Sequence, residues 1–218
     1  MKDYTHISII LDRTGSMESI RDDTIGGFNA FLKQQKDEPG LATLTLVQFD
    51  SQDPYEVIHR FVPIAEVPEL TRQTYVPRAS TPLLDAMGRG INDLEKSISD
   101  LKEKERPARI VLVIITDGQE NASKEFRKEQ VSKMIVQKQK ELEWQFVFLS
   151  ADLDAINEAM AQGVKFGSSL AFDKTSEGAT GAWESASHKI KDYRTGIRKS
   201  VSFDEEDRDK QDIEKRRK

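Results

Sequence analysis

The chain has 218 residues, of which 37% are hydrophobic and 33% charged, as expected for a domain with a hydrophobic core and a highly charged surface. Its net charge of −5 argues against general affinity for nucleic acid. The absence of cysteine excludes disulfides, thiolate catalysis and zinc–cysteine sites.

Strand-like and helical segments alternate in the first part of the chain. The apolar run Tyr4–Leu11 predicts a buried strand. The following residues recur at spacings of three and four, as on one helix face: Ile20, Thr24, Ile25, Phe28, Phe31 and Leu32. After a break at Pro39-Gly40, the segments Leu41–Phe49 and Tyr55–Val62 predict two strands. Their short polar connection indicates an antiparallel hairpin at the sheet edge.

The same alternation continues in the second part. Thr81 and Pro82 suit the N-cap and first position of a long amphipathic helix. Arg109–Thr116 is a continuous apolar run, typical of a strand buried on both faces of a parallel sheet. The remaining predicted elements are helix Lys124–Leu142, strand Trp144–Ser150, helix Asp152–Gln162, strand Leu170–Phe172 and helix Thr175–Tyr193.

This order of elements predicts a doubly wound α/β domain over residues 1–195. We expect a mostly parallel six-stranded sheet with an antiparallel edge strand and helices on both faces. From Asp204 to Lys218, thirteen of fifteen residues are charged. This stretch therefore has too few apolar groups to offset the entropy cost of ordering it. We therefore expect residues 196–218 to be a disordered or solvated helical tail, and truncation after Thr195 to leave stability nearly unchanged.

The sequence offers no candidate for a membrane span or a secretory signal. Its longest apolar stretches, near Ile7–Leu11 and Ile110–Ile115, are far shorter than the roughly 20 residues that a spanning helix needs. The first residues lack a cationic lead and an apolar region. We therefore expect a cytoplasmic protein that does not associate with membranes.

Oxygen-bearing side chains follow two predicted strands and precede a helix. Asp12, Thr14 and Ser16 lie two residues apart after the first strand, Thr81 precedes a helix, and Asp117 follows strand Arg109–Thr116. Ligands of a parallel sheet bind outside the carboxyl ends of its strands, where these residues are expected. Each of them alone is more simply a turn or cap residue. Together they favour a site for a hard cation such as Mg²⁺.

This order of residues resembles the metal-ion-dependent adhesion site (MIDAS) of von Willebrand factor A-type domains, which reads Asp-x-Ser-x-Ser, then Thr, then Asp. The matching residues are Asp12, Thr14, Ser16, Thr81 and Asp117, where Thr14 replaces a Ser but keeps the hydroxyl. The resemblance covers roughly residues 4–195, and the local sequence resembles stand-alone bacterial or phage members. It implies that Thr14 and Ser16 contact the metal directly, that Thr81 joins in one state, and that Asp12 and Asp117 act largely through water.

The resemblance implies a protein-binding domain and not an enzyme. A bound Mg²⁺, with Mn²⁺ and Ca²⁺ as alternatives, would capture a Glu or Asp carboxylate of a partner protein. Two carboxylates and neutral hydroxyls would leave the ion electrophilic toward this further oxygen. Family analogy suggests an AAA-type ATPase as partner.

Two other functions stay open. A magnesium-dependent phosphotransferase of the haloacid-dehalogenase type also has an Asp after its first strand, but its motif has a second Asp where Thr14 stands. A threonine hydroxyl cannot serve as acid or base at neutral pH, and no catalytic lysine is apparent in the sequence beside Asp117. The chain also lacks a phosphate-binding Gly-x-x-x-x-Gly-Lys-Ser/Thr motif and a Gly-x-Ser-x-Gly elbow. The second alternative is a structural subunit with a vestigial metal site.

Two more carboxylates are predicted near the site. Asp85 lies one turn after Thr81, and either hydrogen-bonds water of the site or faces solvent. Asp152 follows a strand and is a candidate for the rim of the crevice, but we expect it to cap the next helix.

Overall fold

The computed structural model describes residues 3–161 and 163–211. Its strands are β1 (Tyr4–Asp12), β2 (Leu41–Phe49), β3 (Glu56–Pro63), β4 (Arg109–Thr116), β5 (Gln145–Ser150) and β6 (Ser169–Ala171). Its helices are α1 (Arg21–Asp37), α2 (Leu83–Ser99), α3 (Lys128–Glu141), α4 (Leu153–Ala161), α5 (Ser176–Arg194) and α6 (Glu205–Asp209). Gln162, the predicted last residue of one helix, lies outside the described residues. No helix of the described segments is long and apolar enough to span a membrane.

The six strands form one sheet in the order β3-β2-β1-β4-β5-β6. All neighbouring pairs are parallel except β2 with the edge strand β3, which pair antiparallel. In the centre, Ile9 of β1 lies opposite Leu46 of β2 and Val113 of β4. The predicted fold class is therefore confirmed, including the antiparallel hairpin at the edge.

Helices cover both faces of the sheet because the apolar side chains of β1 alternate between two cores. Ile7 and Ile9 belong to the core that also contains Phe28 of α1 and Trp183 of α5. Ile10 belongs to the opposite core, with residues of α2, α3 and α4. Gly27 lets α1 and α5 approach closely, since a Cβ atom there would lie 2.1 Å from the Trp183 ring.

The segment after α5 differs from the solvated tail expected from its charge. Val201 and Phe203 are buried and belong to the same core as α1 and α5. The Phe203 backbone N–H donates to the Gly167 carbonyl, and the Ser168 hydroxyl donates to the Val201 carbonyl. The expectation is thus wrong for this part of the segment, because its two apolar side chains are buried and Lys189 of α5 pairs with Asp204 and Asp207. Residues 212–218 lie outside the described part, and the domain boundary at residue 195 stays a prediction.

His6 is a buried titratable group in β1. Its Nδ1 lies 2.8 Å from Thr43 Oγ1, and its ring stacks on Phe61 with the centroids 3.7 Å apart. Nε2 has no hydrogen-bond partner among the described residues. Burial lowers the pKa of His6 from 6.5 to about 3. The folded protein therefore excludes a proton that the unfolded chain binds.

We expect the contribution of His6 to the stability of the protein to fall as the solution becomes acidic. A folded-state pKa below the unfolded one gives a stability contribution that is complete above pH 6.5 and is lost as the pH falls toward 3. The slope that His6 contributes, which is the difference between wild type and His6→Phe, should approach about 1.4 kcal/mol per pH unit. Urea unfolding between pH 7 and pH 4 should show this slope reduced in His6→Phe and retained in His188→Gln, which changes an exposed histidine. Equal slopes in wild type and His6→Phe would contradict this assignment.

Candidate functional site

The candidate site lies at the carboxyl ends of β1 and β4, which are neighbours in the middle of the sheet. From β1 the chain enters β2 on one side, while β4 lies on the other side. Such a switch point leaves a crevice beyond the strand ends. Asp12 is the last residue of β1, and Asp117 directly follows β4. The sheet therefore brings together two carboxylates that are 105 positions apart in the chain.

Hydrogen bonds link four of the predicted site residues. Asp12 Oδ1 accepts from the Thr14 backbone N–H at 2.7 Å, and Asp12 Oδ2 accepts from the Thr116 hydroxyl at 2.6 Å. Thr14 Oγ1 lies 3.1 Å from Ser16 Oγ. Ser16 Oγ in turn donates to Asp117 Oδ1 at 2.7 Å. The two side-chain hydroxyls thus lie in a row that ends at the second carboxylate.

Both carboxylates are buried, which makes their negative charge costly. Burial is the main reason why the pKa of Asp12 is raised to about 7, against hydrogen bonds from Thr116 and Thr14 that lower it. The nearby charge of Asp117 raises it further. Asp117 Oδ2 has no hydrogen-bond partner among the described residues, but the Lys174 ammonium lies 2.5 Å from it. The expectation that no lysine lies beside Asp117 is therefore wrong, because Lys174 comes from a segment 57 positions away in the chain. The site therefore has an excess of buried acceptor oxygens.

This donor set fits a hard divalent cation. Within residues 3–161 and 163–211, no group of three or more His, Cys, Asp or Glu side chains could hold a metal ion. A metal at this site would therefore depend on hydroxyl oxygens as well as on the two carboxylates. Mg²⁺ accepts such oxygen ligands and keeps several waters. Asp117 Oδ2 has no hydrogen-bond partner among the described residues, and only the partly exposed Lys174 ammonium compensates its charge.

Arg13 anchors the loop between Asp12 and Ser16, a role that the sequence did not predict. Its buried guanidinium donates to Asp50 Oδ2 at 2.9 Å, and Arg78 donates to the same oxygen at 2.9 Å. The Arg78 backbone N–H donates to the Arg13 carbonyl. The Tyr75 hydroxyl donates to the Asp12 carbonyl at 2.6 Å. No local sequence signal links these residues, since they come from separate segments of the chain.

Thr81 is joined to the loop that follows Asp117. Its backbone N–H donates to Asn121 Oδ1 at 2.9 Å, and the Asn121 N–H donates to the Thr81 carbonyl at 3.1 Å. The prediction that Thr81 caps α2 is wrong, because α2 begins at Leu83 with no side-chain cap from Pro82. Glu120 supplies the acceptor instead: its carboxylate accepts a hydrogen bond from the Leu84 N–H at 2.8 Å.

Asp85 fastens the same loop to α2. It is buried, and its carboxylate accepts the backbone N–H groups of Lys124, Glu125 and Phe126 at 2.8 to 2.9 Å. Phe126 packs so closely on Gly88 that a Cβ atom there would lie 2.4 Å from its ring. Neither alternative given by the sequence, contact with water of the site or exposure to solvent, describes this role.

The other carboxylate, Asp152, behaves as predicted. Its Oδ1 accepts the N–H groups of Asp154 and Ala155 and so caps α4. Its Oδ2 accepts from Gln119, a side chain of the loop after Asp117.

We expect Asp85→Ala to lower the free energy of unfolding by about 2 kcal/mol, because three backbone donors lose a charged acceptor. Urea unfolding measures this change. Asp100→Ala, at an exposed position just after α2, should change stability by less than about 0.5 kcal/mol. Equal stability of Asp85→Ala and Asp100→Ala would show that the loop does not depend on Asp85.

Comparison with known proteins identifies the fold. No protein-family model and no curated protein matches the sequence. Among solved structures, manganese-loaded Plasmodium vivax TRAP protein is 15% identical with a TM-score of 0.55, over 79% of this chain and 70% of that one. Proximal thread matrix protein 1 from the mussel byssus, with a zinc-occupied MIDAS motif, is 12% identical with a TM-score of 0.58, over 86% of this chain and 46% of that one. A von Willebrand factor type A protein from Catenulispora acidiphila is 10% identical with a TM-score of 0.54, over 85% of this chain and 42% of that one.

The chain has the von Willebrand factor A-type fold. It spans less than half the length of the mussel and Catenulispora chains, so those proteins contain further parts that this chain does not match. The stand-alone bacterial or phage type stays a prediction.

Proposed function

We propose that this domain binds a divalent cation, Mg²⁺ in the first instance, through Asp12, Thr14, Ser16, Thr81 and Asp117, and thereby captures an acidic side chain of a partner protein. One observation carries the proposal. The Ser16 hydroxyl lies between Thr14 Oγ1 and Asp117 Oδ1, beside a buried Asp117 oxygen that has no hydrogen-bond partner. A cation at this point would compensate that oxygen in place of the Lys174 ammonium, which lies 2.5 Å from it, and would use both hydroxyls.

The balance of charges supports binding over catalysis. When bound, the cation supplies a Lewis-acidic position for one further anionic oxygen. Asp12 and Asp117 hold the site by charge, and Thr14 and Ser16 offer neutral oxygens. Asp12 is buried and engaged by two hydrogen-bond donors, Thr14 N–H and the Thr116 hydroxyl, so it is not placed to take a proton from a substrate. The likeness to structures described as manganese-loaded or with a zinc-occupied MIDAS motif agrees with a divalent cation.

Selection from a peptide library tests this function without requiring the partner protein. A random library displayed on phage is panned on the immobilised protein in millimolar Mg²⁺, and bound clones are eluted with EDTA. We expect the selected peptides to share an Asp or Glu, and synthetic copies with Asn or Gln at that position should not bind. A carboxylate that completes the coordination of the cation is the physical reason.

Ser16→Ala provides the decisive variant, because it removes one hydroxyl without changing the charge. It should abolish selection, whereas Ser19→Ala should not, since the Ser19 hydroxyl contacts only the Ser16 carbonyl in the bonds that the structure records. Binding that survives EDTA would refute metal capture. Metal-dependent hydrolysis of a phosphomonoester that is lost in Asp12→Asn would favour the phosphotransferase instead.

The cytoplasmic location and an AAA-type ATPase as partner stay predictions, because neither the fold nor the site bears on them.

A further inference from the structure

Lys174 brings a positive charge into the candidate site from a different part of the sheet. It lies in the connection between β6 and α5, and its ammonium is 2.5 Å from Asp117 Oδ2. The Asp117 side chain has no exposed surface, whereas 38% of the Lys174 side chain is exposed. The ammonium thus reaches a buried carboxylate from the solvent side.

Lys174 compensates the one carboxylate oxygen that the rest of the site leaves without a partner. Asp117 Oδ1 is engaged by the Ser16 hydroxyl, while Oδ2 accepts no hydrogen bond of acceptable geometry. A buried carboxylate without a positive neighbour is costly, so an adjacent ammonium stabilises this arrangement. Lysine suits the role, because it is a compact point charge on a flexible stem.

The backbone on either side of Lys174 is anchored, so its side chain can leave without a rearrangement of the fold. On one side, the Phe172 N–H donates to the Ser150 carbonyl at 2.9 Å. On the other side, the Thr175 hydroxyl caps α5 by accepting the Gly178 N–H at 3.1 Å. Only the side chain of Lys174 needs to rotate toward the solvent.

The geometry points to Lys174 as a tethered cation that competes with the divalent metal for Asp117. This inference rests on the proposed function. In the metal-free protein the ammonium neutralises Asp117. A divalent cation bound beside the same carboxylate repels the ammonium and displaces it. Lys174 therefore weakens the affinity of the site for metal and sets the metal concentration at which the domain becomes able to capture a partner.

Calorimetric titration with Mn²⁺ tests the competition. Lys174→Gln removes the competitor, so its dissociation constant for Mn²⁺ should be about 3- to 10-fold lower than that of wild type. Lys191→Gln is a matched control, because Lys191 is 36% exposed and pairs with Glu38 at 2.7 Å on α1's C-terminal side, outside the site. This control should bind Mn²⁺ with the affinity of wild type.

Pulse acylation of lysine amines, read by peptide mass spectrometry, tests the displacement itself. In wild type, labelling of Lys174 should increase several-fold when EDTA is replaced by Mg²⁺, while labelling of Lys191 should stay constant. Lys174→Gln could bind Mn²⁺ more tightly although Mg²⁺ leaves the labelling of Lys174 in wild type unchanged. This combination would indicate a long-range charge effect and would overturn the inference. Unchanged affinity in Lys174→Gln would overturn it as well.

These outcomes are distinct from a failure of the proposed function. If wild type binds no Mn²⁺, or if Asp12→Ala binds it equally well, the proposed metal site is wrong and the role of Lys174 falls with it. If wild type binds Mn²⁺ through Asp12 but Lys174 shows neither effect, only the competition is wrong.

Discussion

Removal of residues 196–218 should destabilise the protein by about 4 kcal/mol, because burial of a Val and a Phe side chain contributes roughly 1.5–3 kcal/mol each. Val201 is fully buried and Phe203 is 6% exposed, both in the core shared with α1 and α5. Truncation would expose that core to water. For a domain of this size the melting temperature should fall by about 10 °C. Thermal and urea unfolding of the truncated and full-length chains measure the loss.

Point variants of the full-length chain separate packing from the other effects of truncation. Val201→Ala and Phe203→Ala should each lower the melting temperature, the latter more strongly because a larger cavity remains. Ile197→Ala is the matched control, since Ile197 is 72% exposed and should tolerate the change. If all three variants have the melting temperature of wild type, the segment after α5 does not stabilise the domain.

Millimolar Mg²⁺ or Mn²⁺ should raise the melting temperature of the wild-type protein relative to EDTA. A ligand that binds only the folded state stabilises it by about 2.7 kcal/mol at 100 times its dissociation constant. Asp12→Ala should abolish this shift and leave the metal-free protein folded, because it removes one of two buried carboxylates that repel each other. Differential scanning calorimetry with and without metal measures the shift. An equal shift in wild type and Asp12→Ala would refute the site.

The metal-induced shift should also depend on pH. Burial raises the pKa of Asp12 to about 7 in the metal-free protein, so the stability that its protonation gives is complete below about pH 4 and is lost as the pH rises through 7. Metal binding requires the ionised form. The shift should therefore be smaller at pH 6 than at pH 8. A shift independent of pH over this range would show that no proton leaves Asp12 when metal binds.

The sequence by itself determined the elements of the fold and the order of the candidate site residues. Continuous apolar runs such as Ile110–Ile115 occur because both faces of a central parallel strand are covered. The polar connection after Phe49 is short, which leaves β2 and β3 an antiparallel pairing. Asp12 and Asp117 were found because each directly follows such a run. These are local signals, because they depend only on side-chain type and on the spacing of residues along the chain.

Only the tertiary structure decided how the candidate site is supported and neutralised. Arg13 pairs with Asp50, Asp85 holds backbone groups near residue 125, and Lys174 reaches Asp117. Residues of each pair are separated by 37, 40 and 57 positions in the chain, and a charged residue in a sequence of 33% charge does not indicate its partner. The sequence did not predict the docking of Phe203 either, because its burial depends on residues of distant elements. Contacts between segments that are distant in the chain, and not local propensity, determine these features.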